Sequence, residues 1–182
     1  MKIYGIQKLT LLDFPLKVAC TVFTGGCNLR CPFCHNASLV KCGGAESIEA
    51  EVEVFLKKRA GVIEGVCISG GEPLLQPDIA PFLRFVRSLG LCTKLDTNGT
   101  LPQHLVPLLN EGLLDYVAMD LKNSPALYAK TVGVEGFDFA PVAETMELLR
   151  KSGIAYEFRT TVVKGLHTVE SLKEAASLIK DG

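Results

Sequence analysis

The chain has 182 residues, the size of one ordinary domain, and its 48% hydrophobic content supplies a core and excludes a disordered or low-complexity chain. Its 19 basic and 20 acidic residues leave a net charge of −1, which excludes a basic face for nucleic acid and a polybasic membrane anchor. No apolar run reaches the roughly 18–20 residues that a bilayer span needs. Residues 1–13 lack the continuous apolar block of a signal peptide, so a soluble, cytoplasmic protein is expected.

Along the chain, apolar β-branched segments alternate with segments of helical periodicity. Residues 17–24 predict a strand, ended by Gly25-Gly26. Residues 46–59 predict a helix with Ile48, Val52, Phe55 and Leu56 on one face. A strand over 61–69 is closed by Gly70-Gly71, and a helix over 78–89 carries Ile79, Phe82, Leu83 and Val86. A strand over 91–97, a helix over 101–111 and a strand over 114–120 follow. The rest reads as a helix over 142–151, a strand over 154–163 and a helix over 169–180. A period that switches between 2 and 3.6 argues for βα units around a parallel sheet.

Five such units follow a leading segment, and a closed eight-fold barrel needs about 250 residues. An α/β fold, either an open partial barrel or a doubly wound sheet, is therefore expected. In both, ligands gather at the carboxyl ends of the strands. The unusual residues fall there: a cysteine loop after the first strand, residues 69–73 after the second, 96–99 after the third and 119–122 after the fourth. Arg159 is a charged residue within the fifth strand.

Seven cysteines cannot all pair, and the chain is too long and cysteine-poor for a secreted disulfide scaffold. Cys27, Cys31 and Cys34 stand within eight residues of one another, a spacing expected by chance in about one such chain in a hundred. Three soft thiolates suit zinc or an iron–sulfur cluster. Structural zinc takes four ligands, and Cys42 or His35 could complete such a set. Without a fourth, one coordination position stays open, as a catalytic metal requires. Cys20, Cys67 and Cys92 fall in strands, where buried thiols are ordinary core. His104 and His167 have no nearby carboxylate and are expected at the surface.

Cys-x-x-x-Cys-x-aromatic-Cys resembles the signature of the radical S-adenosylmethionine (SAM) superfamily. The run Thr10-Leu11-Leu12-Asp13-Phe14-Pro15, with Cys27-Asn28-Leu29-Arg30-Cys31-Pro32-Phe33-Cys34-His35-Asn36, is similar to one branch of it. That branch comprises the activating proteins of anaerobic ribonucleoside-triphosphate reductase, related to pyruvate formate-lyase activating enzymes. Leu16 departs from the pattern, which has glycine after the proline. The resemblance implies a partial β/α barrel of the radical SAM type with five βα units of an expected six. Residues 1–182 would form one radical SAM domain lacking its C-terminal unit.

The resemblance further implies a 4Fe–4S cluster on Cys27, Cys31 and Cys34 and SAM on its open iron. Reduction would cleave SAM to a 5′-deoxyadenosyl radical that takes hydrogen from a glycine of a partner glycyl-radical enzyme. A flavodoxin- or ferredoxin-type protein would supply the electron. Gly70, Gly71 and Glu72 match a motif that accepts hydrogen bonds from the methionyl ammonium, and Phe33 matches a residue lining the adenine site. Asp96, Asp120 and Lys122 match positions near the SAM carboxylate, and Arg159 could bind that carboxylate as a fork donor. Two carboxylates beside an anionic ligand need a monovalent cation or a lysine between them. A radical SAM enzyme acting on a small molecule, and a zinc or iron–sulfur structural or electron-transfer module, are the alternatives.

Overall fold

The computed structural model describes residues 1–41 and 46–180; Cys42, weighed above as a fourth ligand, lies outside them. The leading segment forms a strand, β1 (Ile3–Thr10), antiparallel to β2 (Ala19–Thr24). Only the two ends of β1, Ile3 and Thr10, are buried, and register breaks interrupt its pairing. Neither alternation nor an apolar run therefore marks it in the sequence.

After β2 come the one-turn helix α1 (Ala37–Val40) and α2 (Glu49–Arg59). Then β3 (Gly65–Gly70), α3 (Ile79–Ser88), β4 (Cys92–Thr97), α4 (Pro102–Asn110) and β5 (Tyr116–Asp120) follow in turn. The described chain ends with α5 (Pro125–Val132), α6 (Ala140–Lys151), β6 (Ala155–Arg159) and α7 (Val169–Leu178). The strand expected over 154–163 stops at Arg159, and Thr160 turns its hydroxyl onto Leu121 O at 2.6 Å. Helices α1 and α5 are too short to show a clear helical period.

Strand order in the sheet equals chain order, and β2 through β6 are parallel. Crossovers between parallel strands are right-handed, so a monotonic order places every crossover helix on one face. This is the open, partial β/α barrel expected from the sequence. Registered neighbours share a face: Val22, Ile68, Leu95 and Val117 run along the helical side. They are fully buried with Leu83 of α3, Leu105 of α4 and Leu149 of α6, each contributing about 2 kcal/mol by burial.

The opposite, inward row reads Thr21, Cys67, Lys94 and Tyr116. Its amino end is closed by Phe14 of the β1–β2 loop, which is buried with its ring 6.2 Å from that of Tyr116. Gly65 makes room for it, since a Cβ there would stand 2.8 Å from Phe14 Cε1. Leu16, in the same loop, sits at φ +61°. That left-handed backbone is the one a glycine would suit, and here an exposed leucine adopts it.

Candidate functional site

The cysteine loop leaves β2 and is tied down from three directions. Gly71 N donates to Thr24 O at 2.9 Å, and Glu72 N to Gly26 O at 2.8 Å. Gly70 adopts φ +117°, and a Cβ on Gly71 would overlap Gly26 O. Two glycines are needed there because backbone meets backbone. Asn36 reaches back from beyond the third cysteine, its Nδ2 donating to Gly70 O at 3.2 Å.

From the β4 side, Asn98 Nδ2 donates to Asn28 Oδ1 at 2.9 Å, and Asn28 Nδ2 donates to Thr100 Oγ1 at 2.7 Å. From α5, Val132 O accepts Arg30 N at 2.8 Å. The short helix that its sequence does not announce thus anchors the loop.

These loops enclose a cavity of about 180 Å³. Cys27, Cys31, Cys34, Phe33, Gly70, Gly71, Asp96, Asp120, Lys122 and Arg159 all line it. Ser69, Thr97, Asn98 and Thr161 also line it, as do His35 and Asn36. The residues singled out from separate strand ends therefore converge, with one exception.

The exception is Glu72. It is fully buried outside the cavity lining, and Leu74 N and Thr97 Oγ1 donate to its Oε1 at 3.1 and 2.9 Å. Asn98 N donates to its Oε2 at 2.7 Å. So occupied, the carboxylate ties the β3 loop to the β4 loop. Burial pushes its pKa up to about 7, although those three donors pull the other way.

From the buried Lys94 to the cavity-lining Lys122 runs a chain of alternating charges. Lys94 Nζ lies 2.6 Å from Asp96 Oδ1, and Arg159 Nη2 lies 3.3 Å from Asp96 Oδ2. Arg159 Nε lies 3.4 Å from Asp120 Oδ1, and Lys122 Nζ 3.0 Å from Asp120 Oδ2. All four carboxylate oxygens thus face a cationic side chain, so this pair does not fit a monovalent cation as an additional guest. Burial works to lower the pKa of Arg159, but Asp96, Asp120 and Glu157 raise it further. Lys122 is likewise raised, with Asp120 and the nearby Cys31 outweighing burial.

Lys122 is steadied from behind by His167. This residue, expected at the surface, is half-buried. Its Nε2 lies 2.8 Å from Lys122 O, and its Nδ1 accepts Val163 N at 3.1 Å. The neutral tautomer with hydrogen on Nε2 satisfies both contacts. His104 is exposed, with Nδ1 2.7 Å from Leu74 O. Asn98 and Lys94 carry more of the site than the sequence suggested. A lysine inside an apolar strand, two residues before Asp96, was the signal available for Lys94.

Cys27, Cys31 and Cys34 are free thiols. Burial raises the pKa of Cys27 and Cys31, and the Lys122 ammonium opposes it. Among the described residues no three Cys, His, Asp or Glu side chains are grouped to hold a single metal ion. Three soft thiols lining one cavity are ligands of the type an iron–sulfur cluster takes.

A model of the radical SAM superfamily matches residues 21–179. The chain belongs to the radical SAM superfamily. Membership implies a 4Fe–4S cluster and SAM, and the three cysteines beside a cationic, glycine-lined cavity fit both. A protein of Methanocaldococcus jannaschii, named only provisionally as a glycyl-radical enzyme activating enzyme, is 32% identical over 97% of this chain and 75% of its own. The pyruvate formate-lyase-activating enzyme of Clostridium pasteurianum is 29% identical over 99% of this chain and 76% of its own.

Among solved structures, SuiB of Streptococcus suis bound to precursor peptide SuiA superposes with TM-score 0.70 at 21% identity. That match covers 92% of this chain and 37% of SuiB. Native anSMEcpe with bound AdoMet gives TM-score 0.65 at 20% identity, over 86% of this chain and 46% of that one. At such identities the likeness is one of fold. No helix among the described residues is long and apolar enough to cross a membrane.

Proposed function

We propose that this radical SAM protein activates a glycyl-radical enzyme, with anaerobic ribonucleoside-triphosphate reductase as its partner. The observation that carries the reading is similarity along almost the entire chain to two proteins named as activating enzymes, over three-quarters of their lengths. An AdoMet-dependent heme synthase of Methanosarcina barkeri is also 32% identical, but the match takes in only 45% of that protein. This pattern favours the activator over a small-molecule enzyme.

In this reading Cys27, Cys31 and Cys34 hold the cluster. When bound, cluster and SAM supply one-electron cleavage that yields a hydrogen-abstracting carbon radical. The chain's own residues bind and orient. Lys122 and Arg159 present positive charge to the methionyl carboxylate. The Arg159 Nε–H makes no hydrogen bond within the protein and stands 3.4 Å from Asp120 Oδ1. Carbonyl oxygens of the Gly70-Gly71 turn accept from the ammonium, and Phe33 offers an apolar face to adenine. Glu72 acts at one remove, holding the Thr97-Asn98 turn against that glycine turn. A flavodoxin- or ferredoxin-type protein delivers the electron.

The test is anaerobic reconstitution with iron and sulfide, then dithionite and SAM. Formation of 5′-deoxyadenosine is expected, together with a glycyl-radical EPR signal on added anaerobic ribonucleotide reductase. Cys31→Ala is expected to lose both bound iron and SAM cleavage. SAM cleavage without a radical on any added partner protein would overturn the activator assignment.

A further inference from the structure

Lys94 does not line the cavity, yet it governs one wall of it. It sits mid-strand in β4, in the inward row between Cys67 and Tyr116, and is 1% exposed. A buried ammonium is costly unless paired. Here Nζ meets Asp96 Oδ1 at 2.6 Å, stands 4.0 Å from Glu157 Oε1 and lies 5.7 Å from the Tyr116 ring centre.

We infer that Lys94 is a covalently attached replacement for a monovalent metal ion: its ammonium neutralises the Asp96 side of the Asp96–Asp120 pair, and SAM binding here needs neither Na⁺ nor K⁺. The inference rests on the reading of this cavity as a SAM site.

Charge and space both support it. The carboxylates of Asp96, Asp120 and Glu157 are matched by Lys94, Arg159 and Lys122. Without Lys94 the set would hold one more anion than cation, beside a pocket that must accept a further carboxylate. Like charges held together in a partly buried site repel, so such a set would draw a cation from solution. With Lys94 present it does not. The 2.6 Å contact leaves no room for an ion between ammonium and carboxylate, and every oxygen of Asp96 and Asp120 already faces a cationic side chain. A tethered ammonium also keeps the charge in place at any salt concentration.

Two measurements at matched ionic strength decide the matter, each in NaCl, KCl and tetramethylammonium chloride. The first is equilibrium binding of radiolabelled SAM to the reconstituted protein; the second is the thermal midpoint of the protein without SAM. For the wild type, affinity is expected to agree within about twofold among the salts, with no cation-specific midpoint shift. For Lys94→Met, SAM affinity in tetramethylammonium should fall about tenfold or more and be restored in part by Na⁺ or K⁺, with a matching rise in midpoint.

Wild-type binding or stability that requires Na⁺ or K⁺ would overturn the inference, and it does so even where the variant fails to fold. Failure to bind SAM in every salt would overturn the reading of the cavity instead, and the midpoints would still decide whether Lys94 replaces the ion.

Discussion

Leu16 is the one non-glycine with positive φ among the described residues, and its side chain is fully exposed. Nothing compensates the clash between its Cβ and backbone, which costs roughly 1–2 kcal/mol in the left-handed region. Replacement by glycine removes that strain and returns part of the gain as unfolded-state entropy. Leu16→Gly is therefore expected to stabilise the protein by about 1 kcal/mol, raising the midpoint of a thermal melt by about 2–4 °C. An unchanged or lower midpoint would show that the turn does not carry this strain. Lys94 shows the reverse relation between sequence and structure at the same scale. The letter alone reads as an odd charge in a strand; the contact with Asp96 gives it a purpose.

Among the elements, the joint between the cysteine loop and the β3 loop is backbone packed on backbone. Gly71→Ala would force Gly26 and its carbonyl away and strain the hydrogen bond from Glu72 N. A loss of about 1–3 kcal/mol is expected, read as a lower urea midpoint at unchanged slope, with weaker retention of iron after reconstitution. Gly90→Ala serves as the control, since its Cβ would meet nothing within 4 Å. Its left-handed φ carries the general penalty alone. Long amphipathic elements such as α3 were legible, because Ile79, Phe82, Leu83 and Val86 repeat on one face and are all buried. Strand β1 and helix α5 were not, because contacts with β2 and with Arg30 define them, and no period of their own does.

For the molecule as a whole, Glu72 sets a pH dependence. Its pKa is near 7 in the folded protein against 4.5 for an unperturbed glutamate. The folded state thus holds the proton that the unfolded state has already released. Stability is highest below about pH 4.5 as far as this group is concerned and declines as pH rises toward 7, by about 3 kcal/mol in all. The midpoint should fall between pH 5 and pH 8, and in Glu72→Gln that fall should largely vanish. The variant itself should be less stable by about 1–3 kcal/mol at low pH, since its amide N–H₂ would face a donor among Leu74 N, Asn98 N and Thr97. A wild-type midpoint that rises over this range would contradict the account.

The cysteine spacing, the alternation of strand and helix, and the placement of polar residues at strand ends are local patterns. They determined the family resemblance, the fold class and most of the cavity lining without reference to tertiary contacts. Which of those residues face the cavity was decided only by register and by the β3–β4 packing. Glu72 lies one residue from Gly71, yet it turns into the protein because three buried donors capture it. Lys94 lies two residues from Asp96 on the same inward face of β4, and folding places its ammonium between carboxylates from different strands. Sequence neighbours share chemistry through spacing, but charge balance depends on distances across strands, and the tertiary structure alone sets those.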